Sequence, residues 1–223
     1  MVQTLFTNRV GGSSRAPYQS NNLARHVGDS NISVFENRRL LEVLVGPSQY
    51  MNQTHGDNVV VVDALSSHEP NSDALVTTET GIALGVLAAD CIPLLLWDEV
   101  ENVIAAVHVG RKGLLNEVAM KTVKVMSALG AERIHAMLGP SICGNCYEVG
   151  QEIYDEVGTA FSGARSLTAK GSFALDLPAA LSIELSLAGV KISRSPICTL
   201  ENPNYFSYRR DGETGRQAGL IWQ

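Results

Sequence analysis

The sequence predicts an α+β protein, layered and folded as a single domain over residues 1–223. Three observations lead to that class. Apolar segments rich in β-branched residues follow one another closely between Asp73 and His108, as neighbouring strands of a sheet do. Amphipathic helical segments lie outside that block instead of alternating with it, so a regular βαβ winding is not expected. No linker, repeat or low-complexity stretch divides the chain, and 223 residues with 45% hydrophobic content can bury a full core.

Val2 to Thr7 alternates apolar and polar residues like a strand. It lacks the basic-then-apolar build of a secretory signal, so a cytoplasmic protein is expected. The run Val10 to Pro17 is dense in glycine, serine and proline and predicts a loop able to bend over a site. Ile32 to Val45 reads as a helix, with Ser30 or Asn31 as N-cap, apolar residues at Val34, Leu40, Leu41 and Leu44, and Gly46-Pro47 as its stop. Val59 to Val62 is a strand with His55 just before it, and Asp63 to Ser72 is polar loop.

Four further strands are predicted at Asp73 to Thr77, Ile82 to Ala88, Ile92 to Trp97 and Val103 to His108. They are separated by Thr78 to Gly81, by Asp90-Cys91 and by Asp98 to Asn102. Their continuous apolar character means burial on both faces, so other layers must cover them. Leu114 to Leu129 has apolar residues at three- or four-residue steps and ends at Gly130, which predicts an amphipathic helix. Its start lies just past His108 and Gly110, where exposed amides would favour an anion. Arg133 to Leu138 is a strand, Gln151 to Phe161 and Leu177 to Leu187 are helices, and Val190 to Arg194 and Tyr205 to Arg209 are strands. No G-x-G-x-x-G opens a helix, which excludes the dinucleotide-binding reading.

A formal charge of −6 without a Lys/Arg cluster argues against gripping nucleic acid and favours a small-molecule substrate. The longest apolar run, Gly81 to Trp97, is broken by Asp90 and Pro93 and is too short to span a bilayer, so no membrane partner is expected. In a reducing compartment Cys91, Cys143, Cys146 and Cys198 are thiols or metal ligands rather than a disulfide framework.

His55, Cys91 and His108 each sit beside a predicted strand, and a sheet can bring them to one edge. Two imidazoles and a thiolate suit zinc and leave a fourth position open, where a bound water would lose its proton near neutrality and a substrate atom would be polarised. Copper suits the same donors. Ordinary core or loop roles remain an alternative, as does a metal-free Cys91 nucleophile with His55 or His108 as base. Asp90 is the candidate proton-transferring carboxylate, or the partner of a ligating histidine. Arg111 and Lys112 are either anion contacts or a solvated helix start. Cys143-x-x-Cys146 lacks a second pair and reads as a buried pair. His135 reads as a core residue, His68 as solvated and His26 as unassigned.

Several ordered motifs give these residues a wider context. They are Thr7-Asn8-Arg9-Val10-Gly11-Gly12, Gln53-Thr54-His55-Gly56, Asp73-Ala74-Leu75-Val76-Thr77, Ala89-Asp90-Cys91-Ile92-Pro93, Gly139-Pro140-Ser141-Ile142 with Tyr147-Glu148-Val149, and Phe206 to Arg210 through Thr214-Gly215-Arg216. In these the chain resembles the YfiH-like, laccase-domain family, also called multicopper polyphenol oxidases and including the peptidoglycan editing factor. The resemblance implies a four-layer α/β/β/α sandwich and a zinc site of His55, Cys91 and His108. It also implies a catalytic role for Cys91; Asp90 is the second catalytic candidate, and Arg9 and Lys112 are the candidate substrate contacts.

The activity implied is phosphorolysis of adenosine, inosine, guanosine or methylthioadenosine, with deamination of adenosine. Copper-dependent phenol oxidation and editing of a peptidoglycan precursor are the alternatives attributed to the family. The chain departs from the family at His108-Val109-Gly110-Arg111-Lys112-Gly113, where His-Ala-Gly-Trp-Arg-Gly is usual. A lysine there is a point charge in place of a bidentate fork.

Overall fold

The structure is a computed structural model that describes residues 1–98 and 100–223. In chain order the elements are β1 (Gln3–Phe6), α1 (Asn31–Val45), β2 (Ser48–Tyr50), β3 (Val59–Val61), β4 (Ala74–Thr77), β5 (Ala83–Ala88), β6 (Ile92–Asp98), β7 (Ile104–Val109), α2 (Arg111–Leu115) and α3 (Val118–Ala128). They continue with β8 (Ile134–Leu138), α4 (Gln151–Ala160), β9 (Arg165–Leu167), β10 (Phe173–Leu175), α5 (Leu177–Leu187), β11 (Lys191–Arg194), α6 (Tyr208–Asp211) and β12 (Gln217–Trp222).

The strands form two main sheets, not one. A four-stranded sheet runs β1-β12-β5-β2 and a six-stranded sheet runs β11-β8-β6-β7-β4-β3, with β9 and β10 as a separate hairpin. β5 and β6 are consecutive in sequence yet belong to different sheets, so the turn Ala89-Asp90-Cys91 crosses from one layer to the other.

Alternation along each strand sorts its side chains into layers. In β5, Leu84 and Val86 join Leu75, Leu95, Ile104 and Ala106 of the larger sheet in an apolar layer between the two sheets. Ala83 and Leu87 point the other way, towards Val45 and Leu41 of α1 and the Leu23–Ala24 segment. In the larger sheet Ala74, Val76, Leu94, Leu96, Ala105 and Val107 pack against Val118, Val123 and Met126 of α3 and Leu181 and Leu185 of α5. Both sheets are therefore covered on both faces, as the continuous apolar runs require. The order is α1, small sheet, large sheet, helices: the expected α/β/β/α sandwich.

Several local expectations are corrected. On α1, Leu40 and Leu44 are exposed, and the buried positions are Val34, Asn37, Arg38 and Val45. Polar anchoring sets that face: Asn37 accepts from Ser13 N at 2.8 Å and donates to Asn22 O at 2.9 Å, while Arg38 Nε donates to Leu23 O at 2.8 Å. The Val10 to Pro17 loop thus bends towards α1. The helix expected over Leu114 to Leu129 begins earlier, at Arg111, and breaks into α2 and α3 where Glu117 takes a left-handed φ of 58°. Tyr205 to Arg209 is not a strand, because Ser207 accepts a hydrogen bond from Arg210 N and starts α6. Strands β2, β9, β10 and β12 were not expected. Glu99, inside the predicted Asp98 to Asn102 loop, lies outside the described residues.

Candidate active site

The edge of the inter-sheet layer collects three donors. His108 is the fifth residue of β7 and shares its parity with Ile104 and Ala106, so its ring turns into the space between the sheets. Cys91 ends the crossing turn, which Asp90 makes possible by adopting φ 95°. His55 lies in the loop before β3 with φ 59°, a left-handed conformation that costs a non-glycine residue about 1–3 kcal/mol and is held by its surroundings. One ligand atom from each of His55, Cys91 and His108 lies within 4.8 Å of the others. The two imidazole rings meet edge to face with centroids 4.8 Å apart.

Asp73, fully buried, holds both histidines. Its carboxylate accepts from His55 N at 3.0 Å, from Gly56 N at 2.7 Å and from Thr54 Oγ1 at 2.8 Å, and so fixes the His55 loop. The same group meets His108 Nδ1 at 2.9 Å, which leaves Nε2 to face Cys91. On the other side Gln53 pairs with the edge of β5, donating to Leu87 O at 2.8 Å and accepting from Leu87 N at 2.9 Å. The partner that sequence reasoning sought in Asp90 is therefore Asp73. A carboxylate at a strand start carries no mark distinguishing this role.

Gly110 completes the arrangement from below. A Cβ there would lie 2.9 Å from Cys91 Sγ and 3.7 Å from His55 Cδ2, so the absent side chain is the room the thiol occupies.

Without a metal, Cys91 and His108 hold each other charged, so an ion that binds the pair displaces the His108 proton. Burial pushes the Cys91 thiol up, but the charge on His108 and hydrogen bonds from both histidines outweigh it and bring the thiol down to about 6. Burial likewise opposes charging His108, yet the Cys91 thiolate and Asp73 raise it to about 9. Burial also disfavours ionised Asp73, and its bonds to His108, Gly56 and Thr54 overcome this and hold it well below the usual carboxylate range. A borderline N₂S donor set with a carboxylate behind one imidazole fits a divalent metal such as zinc.

These residues floor a cavity of about 450 Å³. Its walls add the guanidinium-bearing Arg111, Arg209 and Arg216 and the rings of Tyr147 and Tyr208. Arg209 lies 5.2 Å from the Tyr147 ring and Arg216 5.9 Å from the Tyr208 ring. Asp90 is the one carboxylate among the described lining residues, and both its oxygens are engaged, by Thr199 Oγ1 at 2.6 Å and by Arg209 N at 2.7 Å.

The other expected substrate contacts are placed elsewhere. Lys112 is exposed and does not line the cavity, whereas its neighbour Arg111 does. Arg9 does not line it either: its Nε donates to Gln19 O at 2.9 Å and its guanidinium lies over Phe206. His26, left unassigned from sequence, lines the cavity, and burial together with Arg216 lowers its pKa. α2 is five residues long, so its amides offer little dipole and the cationic groups here are arginine side chains. His135 stacks on Trp97 at 5.3 Å. No helix among the described residues is long and apolar enough to cross a membrane.

Comparison with known proteins extends these observations. Residues 3–223 match the family described as multi-copper polyphenol oxidoreductase laccase. The chain is 44% identical over 231 residues to a purine nucleoside phosphorylase of Corynebacterium glutamicum, covering 99% of this chain and 94% of that one. It is 46% identical over 226 residues to a purine nucleoside phosphorylase of Streptomyces coelicolor, covering 97% and 93%. Among solved structures it is similar to a Neisseria meningitidis protein of the DUF152 family, with a TM-score of 0.90, 38% identity and coverage of 99% and 93%.

Proposed function

The chain belongs to the multi-copper polyphenol oxidoreductase laccase family, and from that footing we propose that residues 1–223 act as one domain that cleaves purine nucleosides with phosphate, using zinc. The observation that carries this reading is the convergence, in one cavity, of the His55–Cys91–His108 trio with Arg111, Arg209 and Arg216. The relatives named purine nucleoside phosphorylase give the substrate class.

In phosphorolysis the ribose carbon loses its bond to the purine nitrogen and gains one to a phosphate oxygen, while the leaving base takes up a proton. Each guanidinium has five N–H donors, of which Arg209 and Arg216 spend one nitrogen each on backbone carbonyls, so donors remain to gather phosphate. Tyr147 and Tyr208 offer ring faces to the base. His55, Cys91 and His108 would hold the metal, which supplies Lewis-acid polarisation of a substrate oxygen or nitrogen. Cys91 acts here as a ligand. Asp90, with both oxygens engaged, positions the crossing turn and Arg209.

Deamination of adenosine is the weaker reading, because it asks for a free carboxylate to move protons and Asp90 is occupied. Phenol oxidation at copper is weaker too: the whole chain has five histidines, and no methionine is among the described residues lining the cavity, as a long axial ligand would be. We place the reaction in the cytoplasm, where thiols stay reduced.

Metal analysis of protein purified without added metal, combined with turnover of adenosine, inosine, guanosine and methylthioadenosine with and without phosphate, tests the reading. Zinc at the trio and strictly phosphate-dependent release of base are expected, both lost in Cys91→Ala. Full turnover by metal-free Cys91→Ala, or turnover indifferent to phosphate, overturns it.

A further inference from the structure

Cys143, Cys146, Cys198 and Glu201 lie behind the cavity wall, and one ligand atom from each comes within 4.8 Å of the others. We propose that they form a second metal site, a three-thiolate zinc centre closed by the Glu201 carboxylate. None of the four lines the cavity or belongs to the His55–Cys91–His108 trio.

The backbone builds this cluster before any ion arrives. Cys146 N and Tyr147 N both donate to Cys143 O, at 3.0 and 3.1 Å, closing a turn that brings the first two thiols together. Cys198 comes from the segment after β11, which is locked to the first by Thr199 N donating to Ser141 O at 3.1 Å. Cys143 N donates to Cys198 Sγ at 3.4 Å, a contact that holds the third sulfur against the turn carrying the first two. Asn202 N donates to Cys198 O at 3.0 Å, and this turn carries Glu201 back towards the sulfurs. Gly144 lets the loop sit close to the start of α5, since a Cβ there would lie 2.6 Å from Asp176 Cβ.

The donors select the ion. Metal–sulfur bonds of about 2.3 Å in a tetrahedron put sulfurs about 3.8 Å apart, so the present spacing needs a contraction of about 1 Å or less. Thiolates favour zinc and cuprous copper, and an oxygen ligand in fourth place favours the divalent ion. All three thiols are free, and one disulfide among three would strand the third. The sequence favours reading Cys143-x-x-Cys146 as a buried pair because no second pair completes it; the missing members come from residues 198 and 201, a separation no spacing rule anticipates.

The cluster is coupled to the cavity. Ile142 and Tyr147, which flank the cysteine pair, both line it. Ile142 N donates to Asp90 O at 3.0 Å, and Thr199, next to Cys198, donates to the Asp90 carboxylate. An ion binding the three sulfurs would therefore stiffen the turn that presents Cys91. It is a closed, structural site in which the protein supplies every ligand.

Elemental analysis of protein purified under reducing conditions without added metal should find about two zinc equivalents per chain, and about one in Cys146→Ser. Cobalt titration of Cys91→Ser, whose second cluster is intact, should give an intense sulfur-to-cobalt charge-transfer band and tetrahedral d–d absorption, independently of whether Cys146→Ser folds. About one zinc in the wild type, unchanged in Cys146→Ser, overturns the proposal. So does a cobalt spectrum of Cys91→Ser without thiolate bands, preferential loading of cuprous copper, or a disulfide within the trio in freshly reduced protein.

Discussion

Asp73 Oδ1 lies 2.9 Å from His108 Nδ1, and the same carboxylate holds the backbone of His55, so one buried group sets the position of two of the three donors. Asp73→Asn would place an amide N–H against groups that are themselves donors, and the ring of His108 would lose its tautomer. Metal affinity should fall about 10–100-fold, and the melting temperature should drop, in a metal-competition titration and a thermal melt. The acid limb has a fixed sign. Because Asp73 ionises more easily folded than at its ordinary 3.8, its stabilisation is complete above that value and disappears as pH falls through the lower folded value. Wild type should therefore lose more stability below about pH 4 than Asp73→Asn does.

Gly110→Ala tests the space beside the thiol. The backbone there has φ −91°, which alanine adopts freely, so strain is not the issue. The new Cβ would come 2.9 Å from Cys91 Sγ, closer than side chains pack, so the sulfur or the backbone has to move. The fold should persist, with a stability loss of about 1–3 kcal/mol, while metal affinity and turnover fall together. A variant with wild-type metal affinity would show that the thiol is less confined than the geometry states.

The charge state of Cys91 gives a second pH signature, measured on metal-free protein. With its thiol at about 6, the thiolate is present above that pH and lost below it. The His108 imidazolium that supports it is present below about 9 and lost above. Ultraviolet thiolate absorbance or alkylation rate should titrate near pH 6 in the wild type and shift towards the ordinary value of 9.0 in His108→Gln. In metal-loaded protein, protons compete for His108 and for the Cys91 sulfur, so metal affinity should weaken as pH falls below about 9 and more steeply below about 6.

The parts legible in the sequence share a physical trait: a signal contained in neighbouring residues. The strands from Ala74 to Val109 are continuous apolar runs, and His55, Cys91 and His108 could be picked out because each is a donor beside such a run. What stayed hidden depends on partners far along the chain. β12 was missed because Gln217 and Gly219 interrupt its apolar pattern. Gly219 is small because Phe6 and Pro93 press against it, and Gln217 is buried because it bonds to Phe206. The buried side of α1 was misread because Asn37 and Arg38 bond to a loop fifteen or more positions earlier. Asp73 and Cys198 acquire meaning from contacts over 35 and 55 positions.

The departure Arg111-Lys112 can be weighed by position. Lys112 is exposed, whereas Arg111 lines the cavity and is tied at 3.1 Å to Glu156, so the cation stands one residue earlier than the family's usual arginine. Arg216 lines the same cavity, and burial lowers its pKa. If these arginines gather phosphate, each loses a charged hydrogen bond worth about 1.5–3 kcal/mol on truncation, equivalent to about 10–100-fold. Arg216→Ala and Arg111→Ala should raise the KM for phosphate by that factor and leave metal content unchanged. Lys112→Ala should stay within about twofold of wild type, since a solvated side chain outside the cavity has no contact to lose. A large effect of Lys112→Ala with none from Arg111→Ala would place the anion at the helix start instead of the cavity wall.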